Sequence, residues 1–167
     1  MSLNTGDTLP DGSLQEYFDE PNGACAIGPN TFKVSEIAKD KTVVLFAVPG
    51  AFTPGCSLQH VPGYVKHYDE IKSKGVDEIW CVSVNDAFVM GAWARDQKTI
   101  GKIRMFGDGS AIWTKALGLE FDLSARGMGV RSKRYAAIVR NGVVSFLAVE
   151  PQGKVDVSSA ESVLKQL

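Results

Sequence analysis

Two apolar strand patterns separated by one helical pattern constrain the fold of this chain more than any other feature. The apolar run at residues 43–47 predicts a buried strand over residues 42–48, and residues 79–84 predict another over residues 76–84. Between them, apolar residues at spacings of three and four predict a helix over residues 54–73. Strand, helix and strand within about 45 residues predict a βαβ unit with parallel strands and a right-handed crossover.

The central helix carries its own boundary signals. Thr53 is a predicted N-cap and Pro54 a predicted first helical residue. Pro62 lies inside the pattern and has no backbone N–H, so we expect a kink or break near His60 or Val61. Lys74-Gly75 predicts the end of the helix.

The rest of the chain extends this α/β pattern. Asn141-Gly142 between two apolar runs is a strong hairpin signal, predicting strands over residues 135–140 and 143–149. Further predicted elements are short strands and turns over 1–40 with one helical turn at 34–39, a helix at 86–96 capped by Asn85-Asp86, a strand at 103–106, a helix at 111–117 ended by Gly118, and a helix at 158–167 capped by Ser158 or Ser159. We expect one α/β domain over residues 1–167, with helices flanking a mixed sheet.

Composition narrows the classes of function. The chain has 167 residues and a net charge of -1, without a basic block, so we expect no nucleic acid partner. No apolar run reaches the roughly 18 residues of a membrane helix, so we expect no membrane association. The first residues lack the pattern of a secretory signal. Three cysteines without a Cys-x-x-Cys pair favour a reducing compartment, and we expect the cytoplasm.

Cys56 is the strongest candidate for chemistry. It falls in the first turn of the predicted helix, where unpaired N–H groups and the helix dipole favour a thiolate, the nucleophilic form of cysteine. Pro54 and Gly55 before it make the backbone turn tightly and leave room for a small substrate. The alternative is that Cys56 is a small buried hydrophobic residue.

The sequence around Cys56 resembles the peroxiredoxins. Their signature Pro-x-x-x-Thr-x-x-Cys is matched by Pro49-Gly50-Ala51-Phe52-Thr53-Pro54-Gly55-Cys56. The resemblance continues through residues 57–63, 74–76, 81–89 and 131–135, spans roughly residues 4–167, and is closest to the five-type subgroup that includes the plant type II enzymes. It implies a thioredoxin-like sandwich and an antioxidant thiol peroxidase that reduces hydrogen peroxide and small alkyl hydroperoxides.

The resemblance also implies roles for individual residues. Cys56 would attack the distal peroxide oxygen, Thr53 would bond to the peroxide and thiolate, and Pro49 would shield the site from water. Arg134 would hold the thiolate and peroxide, and fixed donors of this kind contribute roughly 3–4 kcal/mol each to the transition state. Supporting candidates are the backbone of Gly55, Arg131 as a brace, and His60 as a structural hydrogen-bonding group at the edge of the site.

Two kinds of thiol could reduce oxidised Cys56: a second cysteine of this chain or an external thiol. Cys81 matches the position of a second cysteine in the plant type II enzymes, but it lies in the middle of a predicted strand, where an inert core residue is the favoured interpretation. No cysteine lies near residues 157–159, where the animal-like members carry theirs. An external thiol such as glutathione with glutaredoxin, or thioredoxin, is then expected. Cys25, in a Gly-rich stretch, is interpreted as incidental.

The same residues also bear on other functions and on assembly. His60 and His67 do not make a metal site with Cys56, because a helix would separate His67 from Cys56 by about 16 Å. We expect no metal and no cofactor. A redox sensor that passes oxidation to a protein partner is the alternative function, whereas a disulfide reductase or a cysteine hydrolase lacks its motif. The resemblance implies a homodimer, with Phe52 and Trp93 as candidate interface or core aromatics.

Overall fold

A mixed sheet forms the centre of the computed structural model, which describes residues 2–18 and 28–167. The strands of the described residues are β1 (Ser13–Glu16), β2 (Asn30–Lys33), β3 (Thr42–Val48), β4 (Glu78–Ser83), β5 (Ile103–Gly107), β6 (Glu120–Asp122), β7 (Val130–Ser132), β8 (Tyr135–Arg140) and β9 (Val143–Val149). Seven of them form the central sheet in the order β2-β1-β5-β4-β3-β8-β9, with β3, β4 and β5 parallel and the other pairs antiparallel. A separate antiparallel pair joins β6 to β7.

Helices cover both faces of this sheet, as the α/β sandwich prediction requires. Successive strand residues point to opposite faces, so β3 supplies Val44 and Phe46 to one core and Val43 and Leu45 to the other. The α-helices of the described residues are α1 (Val34–Ile37), α2 (Val61–Lys66), α3 (Tyr68–Ser73), α4 (Ala87–Gln97), α5 (Ile112–Ala116) and α6 (Ala160–Leu164). The first core is closed by α2, α3, α4 and α6, and the second by α1 and α5.

The helix after β3 begins as predicted but has a different internal structure. Residues 54 and 55 are helical, Cys56–His60 form a π-helix, and α2 follows at Val61. The Val61 N–H bonds to the Cys56 carbonyl, five residues back. Pro62 has no N–H to continue an α-helical ladder, which accounts for a change of helix type at the predicted position. A second interruption, at His67 between α2 and α3, was not predicted.

Local signals are confirmed at most other boundaries. Asn141 (φ 49°) and Gly142 (φ 78°) form the predicted two-residue turn between β8 and β9. Gly75 and Gly118 adopt positive φ after α3 and α5, where left-handed backbone ends a helix. Of the alternative caps, Asp86 accepts from Val89 N–H at α4 and Ser159 from Ser162 N–H at α6.

The pair β6–β7 was not predicted. Strand β6 is only three residues long and exposed throughout, so its polar, apolar, polar sequence is too short to give a strand signal. Within the described residues, no helix is both long and apolar enough to span a membrane.

Candidate active site

The register of the central strands brings Arg134 to the loop that carries Cys56. In the antiparallel pair β3–β8, Ala47 faces Tyr135, so Val48 and Arg134 occupy the next facing positions. Pro49 leaves β3 at this same edge. On the other side of β8, Tyr135 faces Val149, and the Glu150 N–H donates to the Arg134 carbonyl at 2.9 Å. The sheet thus places three separate parts of the chain at one edge.

Cys56 lies fully buried beneath this edge, in the first turn of the helix. Its Sγ accepts a hydrogen bond from Arg134 Nη2 at 3.3 Å. Gly55 makes room for this contact, since a Cβ there would stand 3.3 Å from the same Nη2 atom. A positive charge and the free N–H groups of a helix start both stabilise a thiolate relative to a thiol.

Arg134 is held from its other side by His60. The distance from Arg134 Nη1 to His60 Nδ1 is 2.9 Å, and from His60 Nε2 to the Ser158 carbonyl oxygen 2.9 Å. A guanidinium can only donate and a carbonyl can only accept, so Nδ1 accepts and Nε2 carries the hydrogen. Burial, together with the Arg134 charge, lowers the pKa of His60 to about 3. His60 is therefore a neutral imidazole of one tautomer, buried inside the site rather than at its edge.

The Ser158 carbonyl oxygen accepts hydrogen bonds from two side chains. Besides His60 it accepts the hydroxyl of Tyr64 at 2.8 Å. Tyr64 stacks on Phe46 of β3 with ring centroids 4.0 Å apart, and His60 packs on the same ring at 4.9 Å. The Glu150 carboxylate in turn accepts from the N–H and hydroxyl of Ser158 at 2.9 and 2.6 Å.

The loop between β3 and the helix is shaped by hydrogen bonds of its own. The Thr53 hydroxyl donates to the Gly50 carbonyl at 2.7 Å, so the prediction that its side chain caps the helix is wrong. Thr53 instead contributes its carbonyl, which accepts the Ser57 N–H at 2.9 Å. Arg131 braces the loop by donating to the Met128 and Pro49 carbonyls at 2.9 and 3.5 Å.

Asn85, two residues after the end of β4, holds the same loop. Its Oδ1 accepts from Ala51 N–H at 2.9 Å and from the Ser83 hydroxyl at 2.6 Å, instead of capping α4. Next to Ala51, Phe52 has a left-handed backbone, with φ 62°, which costs a bulky residue roughly 1–2 kcal/mol. Phe52 is 53% exposed, whereas Trp93 is fully buried and donates to the Ser57 hydroxyl, so Trp93 is a core residue and not an interface residue.

A cavity of about 270 Å³ lies at this edge of the sheet. Pro49 and Arg134 form part of its wall, together with Phe121, Lys133 and residues 149–153. Cys56 itself does not line this cavity, so Pro49 and Arg134 are the predicted site residues that border it.

Cys81 lies in the centre of β4, where it faces Phe46 on one side and Met105 on the other. It is fully buried, and both it and Cys56 are free thiols. Burial, with a smaller contribution from the charge that Cys56 would carry, raises the pKa of the Cys81 thiol well above its usual value. Cys25 lies outside the described residues.

His67 lies away from this site. Its ring nitrogens contact Glu70 and Glu161 at 2.9 and 3.1 Å, joining α3 to α6. In the part of the chain that the structure describes, no cluster of three His, Cys, Asp or Glu side chains could hold a metal ion.

The site also contains four residues for which the sequence predicted no role in it: Tyr64, Ser158, Glu150 and Asn85. Tyr64 had a signal, because Cys56, His60 and Tyr64 recur at a spacing of four along the predicted helix. Glu150 had another, as a carboxylate at the end of an apolar strand. Ser158 acts through its backbone carbonyl, which no residue pattern reveals.

Comparison with known proteins agrees with this geometry. Residues 4–164 match the Redoxin family. The chain is 46% identical over 165 residues to Peroxiredoxin-2D of Arabidopsis thaliana, covering 99% of this chain and 98% of that protein. Among solved structures, reduced Prx3 of Vibrio vulnificus in complex with H2O2 shares 48% identity and a TM-score of 0.89, with 98% of each chain covered.

A further solved structure carries a different description. A Burkholderia cenocepacia protein described provisionally as a thioredoxin reductase shares 57% identity and a TM-score of 0.94, covering 100% of this chain and 99% of that one. The present sequence has no Cys-x-x-Cys pair for dithiol reduction, whereas it carries a buried Cys56 bonded by Arg134. The chain belongs to the redoxin family and, within it, is a peroxiredoxin, an enzyme that reduces peroxides with electrons from thiols.

Proposed function

We propose that Cys56 is the nucleophile of this peroxidase and that its substrates are hydrogen peroxide and small alkyl hydroperoxides. The observation that carries the proposal is the contact of 3.3 Å between Arg134 Nη2 and Cys56 Sγ. A thiolate is the reactive form of cysteine, and a fixed cation stabilises it without transferring a proton to it.

The first step is a displacement at the O–O bond. The Cys56 thiolate attacks the distal peroxide oxygen, and the S–O bond forms as the O–O bond breaks. The leaving oxygen takes up one proton, which balances the proton that the Cys56 thiol lost on ionising, and becomes water or an alcohol. Cys56 is left as a sulfenic acid. Sulfur loses two electrons and the peroxide gains them, so the step balances.

Donors and acceptors around Cys56 suit this step. Arg134 Nε is buried and has no hydrogen-bond partner among the described residues, so it has a hydrogen to donate to a peroxide oxygen. The Thr53 hydroxyl donates its hydrogen to the Gly50 carbonyl, so the hydroxyl oxygen of Thr53 can accept a hydrogen bond from the peroxide O–H. Fixed donors aimed at the leaving oxygen stabilise the charge that develops there. Pro49 limits the access of water at the mouth of the site.

An external thiol completes the cycle in this proposal. One thiol attacks the sulfenic acid, releasing water and forming a mixed disulfide, and a second thiol reduces that disulfide to restore Cys56. The burial of Cys81 supports this route, because burial raises the pKa of its thiol and so disfavours the thiolate that would have to attack the sulfenic acid. Glutathione with glutaredoxin is the proposed reductant, and thioredoxin the alternative. No cofactor is needed.

Assembly and location belong to the same proposal. Phe52 and Phe88 are 53% and 54% exposed, and large exposed aromatic side chains are typical of protein interfaces. We therefore propose a homodimer that packs near the Cys56 loop. The free thiols Cys56 and Cys81 are consistent with the reducing cytoplasm.

Steady-state turnover tests the proposed function. Wild-type protein should consume hydrogen peroxide through many cycles with glutathione and glutaredoxin, and Cys56→Ser should abolish this consumption. If the wild-type protein reacts once and then stops with every thiol reductant, the redox-relay alternative replaces the proposed cycle.

A further inference from the structure

We propose that Glu150 is a positioning residue for the peroxidase reaction, which it serves by fixing the Ser158 carbonyl and, through His60, the guanidinium of Arg134. This inference rests on the proposed role of Cys56 and Arg134. It assigns a function to a carboxylate that directly follows β9 and, among the described residues, forms no hydrogen bond with the side chain of Cys56 or Arg134.

Glu150 is built as an anchor. Its Oε2 accepts from Asp156 N–H at 2.7 Å, from Ser158 N–H at 2.9 Å and from the Ser158 hydroxyl at 2.6 Å, and Oε1 accepts from Val157 N–H at 3.3 Å. Burial alone would raise the pKa of Glu150, but these bonds hold it below its usual value. The carboxylate thus holds residues 156–158, in the segment between β9 and α6, by four hydrogen bonds.

The anchored segment ends at the carbonyl that orients His60. Ser158 is fully buried, and its carbonyl accepts from His60 Nε2 and from the Tyr64 hydroxyl. As long as this oxygen stays in place, the hydrogen of His60 stays on Nε2 and Nδ1 remains an acceptor. If the oxygen moved, the imidazole could turn or change tautomer, and Arg134 Nη1 would lose its acceptor.

Arg134 depends on this acceptor for its orientation. Its guanidinium is bonded to His60 Nδ1 through Nη1 and to Cys56 Sγ through Nη2. Glu150 also donates its backbone N–H to the Arg134 carbonyl at 2.9 Å. The same residue therefore fixes the backbone of Arg134 directly and its guanidinium through Ser158 and His60.

Three substitutions grade the strength of the anchor. Glu150→Gln can place its amide oxygen where Oε2 lies and keep the three short bonds, losing only the one of 3.3 Å to Val157 N–H. Glu150→Asp withdraws the carboxylate by one methylene group, and Glu150→Ala removes all four bonds. Glu161→Ala is the matched control, because Glu161 is an acidic residue at the same end of α6 whose side chain contacts His67 instead.

Two reactions of Cys56 should be measured on each variant. One is oxidation by hydrogen peroxide, whose leaving oxygen needs the donors of Arg134, and the other is alkylation by iodoacetamide, whose leaving iodide does not. A merely structural defect changes both rates together, whereas a displaced guanidinium slows oxidation more than alkylation. The ratio of the two rates is therefore the readout.

We expect Glu150→Ala to lower the oxidation rate by about 10- to 100-fold, as misplacement of a catalytic group does, with a much smaller change in alkylation. Glu150→Gln should stay within about threefold of wild type, because it keeps the short bonds, and Glu150→Asp should fall between. If Glu150→Ala does not fold, Glu150→Asp carries the comparison.

An unchanged ratio in Glu150→Ala, or in Glu150→Asp where that variant is used, would overturn the positioning role while leaving the Cys56 mechanism intact. A ratio that falls as far in Glu161→Ala would also overturn it. If wild-type Cys56 is not oxidised by hydrogen peroxide at all, the proposed function itself fails and this inference with it.

Discussion

The guanidinium of Arg134 lies 3.3 Å from the Sγ atom of Cys56, although the two residues are 78 positions apart in the chain. The contact exists because β8 runs antiparallel to β3 and starts where β3 ends. A buried positive charge thus meets a buried sulfur at the start of a helix, and this pairing is the centre of the proposed chemistry.

Removing the charge of Arg134 should slow oxidation strongly. We expect Arg134→Met to lower kcat/KM for hydrogen peroxide by about 10²- to 10³-fold, since it removes donors aimed at the leaving oxygen. Arg140→Met is the matched control: it removes the same charge from the far, exposed end of β8. Stopped-flow oxidation kinetics measure both, and equal rates for the two variants would contradict the role of Arg134.

Adding a methyl group at Gly55 should lower the oxidation rate without lowering the stability of the fold. Gly55 has helical φ and ψ of -63° and -37°, so alanine suits its backbone, but a Cβ would press on Arg134 Nη2 at 3.3 Å. We expect Gly55→Ala to keep or raise Tm, because alanine favours a helix over glycine by about 1 kcal/mol, and to lower the oxidation rate.

Gly63→Ala is the control for that methyl group, because nothing lies within 4 Å of a Cβ at this helical position. It should raise Tm without changing the rate. Thermal unfolding and peroxide kinetics on the same samples measure both effects. An unchanged oxidation rate in Gly55→Ala would contradict the prediction, because it would show that the added methyl group does not displace Arg134.

His60 should make the protein less stable in acid. Its pKa is lowered from 6.5 to about 3 in the folded state, so below pH 6.5 the unfolded chain takes up a proton that the folded chain does not. The free energy of unfolding therefore falls as the pH drops from 6.5 towards 3, by about 2 kcal/mol at pH 5 from this residue. His60→Gln should lack this part of the acid loss in urea unfolding at pH 7 and pH 5. The same acid loss in both proteins would contradict a neutral buried His60.

Protonation of His67 should stabilise the folded protein, the opposite of the effect expected for His60. Bonding to Glu70, and secondarily to Glu161, raises the pKa of His67 above 6.5, against a smaller effect of burial. Its stabilising effect is complete below pH 6.5 and is lost as the pH rises through the folded value. The effect should be small and weakened by salt, because both carboxylates are largely exposed. NMR titration should give a midpoint above 6.5 for His67, and one shifted down in the double variant Glu70→Gln, Glu161→Gln; an unshifted midpoint contradicts the link.

Elements with local signals could be predicted from sequence. The strand at residues 42–48, the helix start at Pro54 and the turn at Asn141-Gly142 each depend on neighbouring residues alone, and all three are present. Pro62 predicted a disturbance near His60, but the π-helical form of Cys56–His60 depends on hydrogen bonds that a residue pattern does not specify.

The candidate site was predicted only in part, for a physical reason. Cys56 and its helix start are local features, and Arg134 was found through resemblance rather than pattern. The path from Arg134 through His60 to Ser158 and Glu150 depends on the register of β3, β8 and β9 and on a backbone carbonyl. Such long-range placement is decided by the packed sheet, not by the residues on either side.

The proposed role of Cys56 is tested most simply by the intact mass of reduced protein after one equivalent of hydrogen peroxide, without added thiol. We expect the gain of one oxygen atom, mapped to Cys56, and the same gain in Cys81→Ser. Loss of two hydrogen atoms, mapped to a Cys56–Cys81 disulfide, would contradict the external-thiol cycle. An unchanged mass would contradict the role of Cys56 altogether.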